Sequence, residues 1–286
     1  MKKFLAILLL AISLTGCSIK RDNLEDINIY TTVYPTEYIT ERLYGNHSTI
    51  YSIYPDGVNT KDYTLTNKQI KDYSKSSIFV FNGLSKEKDY VIPFFKNNKN
   101  IKIIDSTLSM EYENEIEELW MDPSNFLMLS QNIRTGLKEY INNHYLQNEI
   151  DEKYEELKID ISQIEANLRI VAQSSNNKTI IVSNDLFKFL EKYGFNVISL
   201  EENDDLTDKT ISTAQVLIEN KSNSYIFLLD NDEITNTVKK LVDDNDATII
   251  RLHSLANITE NERELKKDYI SIMNENIELL KNELYD

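Results

Sequence analysis

The apolar positions of the chain fall into short runs rich in β-branched residues, separated by stretches with helical spacing. The first run, Ile27 to Tyr34, predicts a strand that ends at Pro35, and we expect a helix to follow through residues 39–43. Further strands are predicted at residues 48–54, 77–81 and 101–104, and a short helix at 67–74. Strands that alternate with helices indicate an α/β lobe with a largely parallel sheet.

The middle of the chain predicts longer helices. Residues 123–145 form a helical stretch that begins at Pro123, with Asp122 as its N-cap. Residues 146–173 contain neither Gly nor Pro and place apolar residues three and four positions apart, which predicts one long helix. Such a helix is about 40 Å long at 1.5 Å per residue, and we expect it to brace two lobes.

The remaining chain repeats the alternation of the first part. Strands are predicted at residues 179–182, 196–199, 225–229 and 247–251, and helices at 185–192, 208–220, 233–241 and 264–284. We therefore predict two Rossmann-like α/β lobes with mainly parallel sheets, joined by one long helix. A cleft between two such lobes is a common ligand site.

The first residues resemble a bacterial secretory signal. Two lysines precede an apolar run that is too short to span a bilayer, and Leu14-Thr15-Gly16-Cys17 resembles the lipobox, in which the cysteine is acylated after cleavage. The alternative is an ordinary signal peptide with a chance cysteine. The predicted division is a signal peptide (1–16), a lipid-anchored tether (17–26), an N-terminal lobe (27–145), a linking helix (146–176) and a C-terminal lobe (177–286).

Composition narrows the class of protein. Hydrophobic residues make up 41% of the 286 residues, which favours a globular chain, and a single cysteine excludes an internal disulfide. The formal charge of −16 argues against a nucleic-acid partner, because phosphates would be repelled. The chain lacks a P-loop, a Gly-x-Ser-x-Gly element and a His-Glu-x-x-His motif, so we expect no enzyme.

Four segments resemble, in order, motifs of the zinc- and manganese-binding solute-binding lipoproteins of bacterial ABC transporters. The segments are residues 31–35 with 56–63, residues 118–123 (Glu-Leu-Trp-Met-Asp-Pro), residues 183–187 (Ser-Asn-Asp-Leu-Phe) and residues 252–255 (Leu-His-Ser-Leu). The resemblance covers nearly the whole chain after Cys17. It implies a monomeric protein outside the cytoplasm, anchored to the membrane by lipid on Cys17, that presents a solute to an ABC permease.

The resemblance also implies a metal site in the cleft, and there the chain departs from the family. The positions that match the four metal ligands carry Lys61, Glu118, Asn184 and His253. The ammonium of a lysine has three donors and no lone pair, so it is a poor metal ligand at neutral pH. Zinc or manganese is therefore expected to bind weakly or atypically, if the site is retained.

Two readings of this altered site stay open. In one, the Lys61 ammonium occupies the vacated centre and pairs with Glu118. In the other, both side chains point into solvent. His47 and His144 are predicted to be surface residues, and the acidic segment 111–118 is expected to attract hard cations only weakly.

Two functions follow from the resemblance. The first is a solute-binding lipoprotein of a metal-type ABC importer with an atypical or lost metal site. The alternative is a surface lipoprotein that keeps the fold and acts as an adhesin-like or interaction protein without transport, using the exteriors of the lobes.

Overall fold

The structure is a computed structural model and describes residues 24–111 and 118–284. The predicted signal peptide, the lipidation cysteine Cys17 and most of the acidic segment 111–118 lie outside the described residues. Within the described ranges, no helix combines the length and the apolar character that a membrane span requires.

The N-terminal half, as described between residues 24 and 111, contains a four-stranded parallel sheet with the order β2-β1-β3-β4. The strands are β1 (Ile27–Thr31), β2 (Ser48–Ser52), β3 (Ile78–Phe81) and β4 (Lys102–Asp105). The connecting helices are α1 (Tyr34–Tyr44), α2 (Asn67–Tyr73) and α3 (Val91–Asn97). Strand β3 reads Ile-Phe-Val-Phe and is buried throughout, as expected for a central strand of a parallel sheet.

Two helices lead to the second half of the chain, α4 (Pro123–Tyr140) and α5 (His144–Ser174). Asn143 caps α5, because its side-chain oxygen accepts the N–H groups of Tyr145 and Leu146. The buried face of α5 carries the apolar residues whose spacing predicted the helix.

The described C-terminal half repeats the plan, with a second four-stranded parallel sheet in the order β6-β5-β7-β8. The strands are β5 (Thr179–Val182), β6 (Asn196–Ser199), β7 (Tyr225–Leu229) and β8 (Thr248–Leu252), and the helices are α6 (Asp208–Glu219), α7 (Asn236–Asn245), α8 (Glu260–Glu264) and α9 (Tyr269–Leu284). The long helix α5 contacts α1 and α4 of the first part of the chain and α9 of the C-terminal half. The predicted fold class, two α/β lobes with parallel sheets joined by one long helix, is confirmed.

Several boundaries differ from the prediction. The stretch predicted as one helix from 123 to 145 ends at Tyr140, because buried Ile141 is extended and Asn143 starts a new helix. The closing helix predicted for residues 264–284 begins only at Tyr269, where the Asp268 side chain accepts the Ser271 N–H, and the short helix α8 precedes it. Residues 185–193 form a 3₁₀ helix, and the short helix α3 was not predicted.

The two halves share one continuous core. Tyr269 on α9 is fully buried and stacks on Phe126 of α4, with ring centroids 3.9 Å apart. Its hydroxyl donates to the carbonyl of Trp120 at 2.6 Å, and the Trp120 indole N–H donates to the carbonyl of Ser254 at 2.8 Å. These buried contacts fasten the residues before α4 to the loop after β8.

Candidate functional site

Lys61 and Glu118 meet at the boundary between the two halves. Lys61 lies on the loop after β2, where its backbone N–H donates to the side chain of Asn59 at 3.0 Å. Glu118 directly precedes a 3₁₀ turn, and its side chain is only 9% exposed. The Nζ of Lys61 lies 2.8 Å from Oε1 of Glu118, so an ammonium compensates this buried carboxylate.

Asp232 extends the pair into the C-terminal half. It lies on the loop after β7, and its Oδ1 is 3.6 Å from Nζ of Lys61. The side-chain amide of Asn231 also donates to Oε1 of Glu118, at 3.4 Å. The ammonium of Lys61 therefore lies between a carboxylate from each half, and we call this region the cleft.

Burial controls the charge of Asp232. It raises the pKa of this carboxyl above its ordinary value; the charge of Lys61 opposes the shift, and the charge of Glu118 adds to it. The cleft thus holds two carboxylates and one ammonium, which leaves net negative charge around Asp232.

Asn184 supports Asp232. Its Oδ1 caps the 3₁₀ helix Asp185–Tyr193 by accepting the N–H of Leu186, and its Nδ2 donates to Oδ2 of Asp232 at 2.5 Å. Both ends of this amide are therefore engaged within the protein. Asn184 positions a carboxylate of the cleft, and its oxygen already has a donor.

His253 is engaged by other residues at the end of β8. Its Nδ1 accepts the N–H of Leu255 at 2.9 Å, and its Nε2 lies 3.3 Å from Oε1 of Glu262. A ring nitrogen that accepts a hydrogen bond carries no proton, so this arrangement assigns the neutral tautomer with its proton on Nε2. Both nitrogens have partners within the chain, and the nearest carboxylate of the cleft loop, on Asp230, is 3.9 Å from Nδ1.

The structure thus brings the four matched positions together unequally. Lys61 contacts Glu118 directly, and Asn184 is linked to them through Asp232. His253 lines a cavity together with Asp232, but its imidazole is engaged by Leu255 and Glu262.

The other two histidines lie outside the cleft, one in the turn before β2 and one at the start of the long helix. His144 is the exposed first residue of α5, and half-buried His47 pairs with Glu149 of that helix at 2.9 Å. Neither belongs to the cleft residues described above.

The ligand types of the cleft can be compared with those that zinc requires. A structural or transport site for zinc takes nitrogen, sulfur or carboxylate ligands, four of them in most cases. Within residues 24–111 and 118–284, no group of three or more His, Cys, Asp or Glu side chains is arranged to hold a metal ion. The carboxylates of Glu118 and Asp232 are placed around an ammonium instead.

Asp230 and Asp232 are the functional candidates that sequence reasoning missed. They lie in the loop that follows the buried strand β7. Strand β7 is the neighbour of β5 in the sheet, and Asn184 lies just after β5. The carboxyl ends of neighbouring parallel strands meet at one edge of a sheet, and ligand sites are common there. Their position after a buried strand was therefore the available signal.

Comparisons with known proteins give a consistent result. The family model described as zinc-uptake complex component A, periplasmic, matches residues 29–283. The metal ABC transporter substrate-binding lipoprotein SloC of Streptococcus mutans is 26% identical over 67% of this chain and 69% of its own length. The zinc-binding protein AdcA of Streptococcus pyogenes is 20% identical over 89% of this chain, which spans only 55% of AdcA.

The fold also matches a solved structure. The metal-dependent lipoprotein YcdH of Bacillus subtilis superposes with a TM-score of 0.73 over 91% of this chain and the whole of that one, at 16% identity. At this identity the likeness concerns the fold alone.

Proposed function

This chain belongs to the periplasmic zinc-uptake component A family, and on that premise we propose that it is the extracytoplasmic solute-binding lipoprotein of an ABC importer with an altered cleft. In this proposal the ammonium of Lys61 takes the place that a divalent metal has in zinc-binding relatives. The cleft is then not a zinc carrier of the usual kind.

The observation that carries the proposal is the position of Lys61 between Glu118 and Asp232, at 2.8 and 3.6 Å. A divalent cation close to this ammonium meets a like charge, and the nitrogen has no lone pair to give while it is protonated. The two carboxylates are also the groups on which a metal would depend. Metal binding at this place therefore requires the ammonium to leave or to lose its proton.

The ion pair also has a structural role in this proposal. Lys61 and Glu118 come from the N-terminal half and Asp232 from the C-terminal half, so the three charges fix how the halves meet. Backbone contacts support the same arrangement, since the N–H of Gly57 donates to the carbonyl of Ile258 at 2.9 Å. A protein with these contacts keeps the lobe orientation of the family without a metal.

Metal titration tests the proposal. The purified full-length chain in mild detergent is analysed for metal content and then titrated calorimetrically with zinc and with manganese. We expect no tight one-to-one binding of either ion. Stoichiometric zinc binding at submicromolar concentration by the unaltered protein would overturn the proposal.

We further propose that Cys17 carries the lipid. The support is the lipobox-like sequence Leu14-Thr15-Gly16-Cys17 and the family membership. Metabolic labelling with palmitate should mark the protein, and Cys17→Ala should abolish the label and release the protein from the membrane fraction. A Cys17→Ala protein that stays labelled would contradict the assignment.

Transport itself is tested in the genome and in cells. A permease and an ATPase encoded beside this gene, together with loss of solute uptake on its deletion, are the expected results. A fold-retaining interaction lipoprotein would instead lack both, and its deletion would leave uptake unchanged.

A further inference from the structure

A cavity of about 410 Å³ lies beside the ion pair of the cleft. The N-terminal half lines it with the loop of residues 57–60, and the C-terminal half with residues 230–232, Arg251 and residues 253–259. Of the four positions that match the metal ligands of the family, only His253 contributes to its lining. The cavity therefore adjoins the ion pair and shares Asp232 with it, but most of its lining comes from other residues.

Asp230 gives this cavity a carboxylate that no Lys or Arg side chain among the described residues contacts directly. Its side chain is 40% exposed, and its Oδ1 accepts the N–H of Ser254 at 3.1 Å. In the described part of the chain, the one ion-pair contact of Asp230 is with Nδ1 of His253 at 3.9 Å, and no Lys or Arg nitrogen lies within 4.0 Å. Because Nδ1 of that imidazole accepts the N–H of Leu255, it does not donate to the carboxylate of Asp230 in this arrangement.

Arg251 is the only arginine among the lining residues, and its guanidinium hydrogen-bonds to backbone carbonyls. One nitrogen of Arg251 donates to the carbonyls of Leu229 and Asp232, at 2.9 and 3.0 Å. These bonds hold the loop that carries Asp230 in one conformation. A ligand thus meets a carboxylate that is already positioned, which lowers the ordering cost of binding.

The neighbouring wall supplies a second carboxylate. Asp232 also lines the cavity, and the buried Oδ1 of Asn231 has no hydrogen-bond partner among the described residues. The adjacent cleft already holds an alkylammonium of the chain itself, that of Lys61, between two carboxylates. The formal charge of −16 further favours the approach of cations to this protein.

We propose that this cavity binds a small organic solute through a primary ammonium group, with the carboxylate of Asp230 as its counterion. The inference rests on the proposed function, because it names the class of solute that the altered cleft takes in place of a metal. An ammonium has three donors, which suits a wall in which carboxylate and amide oxygens are the acceptors. Because both halves line the cavity, the affinity for the ammonium compound should depend on the relative position of the halves.

A series of four-carbon compounds tests the chemistry. The full-length chain in mild detergent is titrated with 1,4-diaminobutane, with 1,4-butanediol as a neutral analogue and with succinate as an anionic analogue. We expect the diamine to bind and to raise the melting temperature, and the diol and succinate to leave it unchanged. Asp230→Asn keeps Oδ1 as the acceptor for Ser254 and should weaken diamine binding by about tenfold or more.

The matched control removes the same charge elsewhere. Asp243 is an exposed residue of α7, so Asp243→Asn should bind the diamine as the unaltered protein does. Equal binding of the diol or succinate, no binding of any of the three compounds, or unaltered diamine binding in folded Asp230→Asn would each overturn the inference. Zinc titration of the same preparation separates the two proposals, because tight zinc binding contradicts the proposed function, whereas a failure of the diamine alone leaves it standing.

Discussion

Lys61 places its ammonium 2.8 Å from a carboxylate oxygen of Glu118, at the position where the family resemblance implies a metal. The two side chains differ in environment, since Glu118 is 9% exposed and Lys61 is 40% exposed. Burying a charge is costly unless a partner compensates it, so the carboxylate depends on the ammonium more than the reverse.

Removing the ammonium should destabilise the fold. Lys61→Met leaves Glu118 buried without its partner, and we expect the free energy of unfolding in urea to fall by about 1–3 kcal/mol. Lys75→Met is the control, because Lys75 pairs with exposed Asp72 and should have little effect. Equal stability of Lys61→Met and the unaltered protein would show that the pair contributes nothing to the fold.

Two imidazoles should restore a zinc site. Lys61→His together with Asn184→His places two nitrogen ligands beside Glu118 and Asp232, which makes up a set of four. We expect zinc affinity in a calorimetric titration to rise by at least about two orders of magnitude over the unaltered protein.

The single variants serve as controls for this gain. Lys61→His or Asn184→His alone supplies one new ligand and should bind zinc much more weakly than the pair. An unchanged titration in a correctly folded double variant would count against the described cleft geometry.

Acid should act on Asp232 before it acts on an ordinary aspartate. Burial, opposed by Lys61 and helped by Glu118, raises the pKa of Asp232, so the folded protein takes up this proton at a higher pH than the unfolded chain. The unfavourable contribution of the charged form is present at neutral pH and is relieved as the pH falls through the raised pKa. Relative to Asp232→Asn, the unaltered protein should therefore gain stability on acidification.

Urea unfolding of both proteins between about pH 7 and about pH 3 measures this difference. The difference should be constant above the raised pKa of Asp232, should change through it and should level off below the pKa of the unfolded chain. A stability difference that stays flat over the whole range, or that moves in the opposite direction, would show that the pKa of Asp232 is not raised.

We expect the ion pairs of Arg263 to stabilise the contact between the two halves. Its guanidinium contacts both carboxylate oxygens of Glu37, at 2.8 and 2.9 Å, and Oδ2 of Asp56 at 2.7 Å. Arg263→Met strands the buried carboxylate of Glu37 and should lower the free energy of unfolding by about 2–3 kcal/mol. Arg263→Lys keeps the charge but loses the bidentate contact with Glu37, so its free energy of unfolding should lie between those of the unaltered protein and Arg263→Met.

A second substitution checks this explanation. In Arg263→Met with Glu37→Gln, the stranded charge is gone, so the double variant should be more stable than Arg263→Met alone. Additive losses in the two single variants would instead mean that the two side chains act independently.

The helices show how much of the fold can be predicted from sequence periodicity. Apolar residues at intervals of three and four predicted α5 to within two residues at its start and one at its end, because that pattern is local to the helix. The boundary between α4 and α5 was predicted at residues 145–146 but lies at residues 141–143, since it depends on burial of an extended Ile141 and on the cap of Asn143. Helix α3 was not predicted, because its seven residues are too few to show a periodic pattern; packing of Phe94 on Phe79 of the sheet stabilises it.

The amino-acid sequence by itself determined that two α/β lobes form, that one long helix joins them, and that lysine stands where the family resemblance implies a metal ligand. These features follow from periodicity and from residue type, which are local properties of the chain. Only the tertiary structure decided that Asp232 shares the ammonium of Lys61 and that the ring nitrogens of His253 have partners elsewhere. Those contacts depend on which loops the two sheets bring face to face, and residues distant in sequence acquire such neighbours only when the halves pack together.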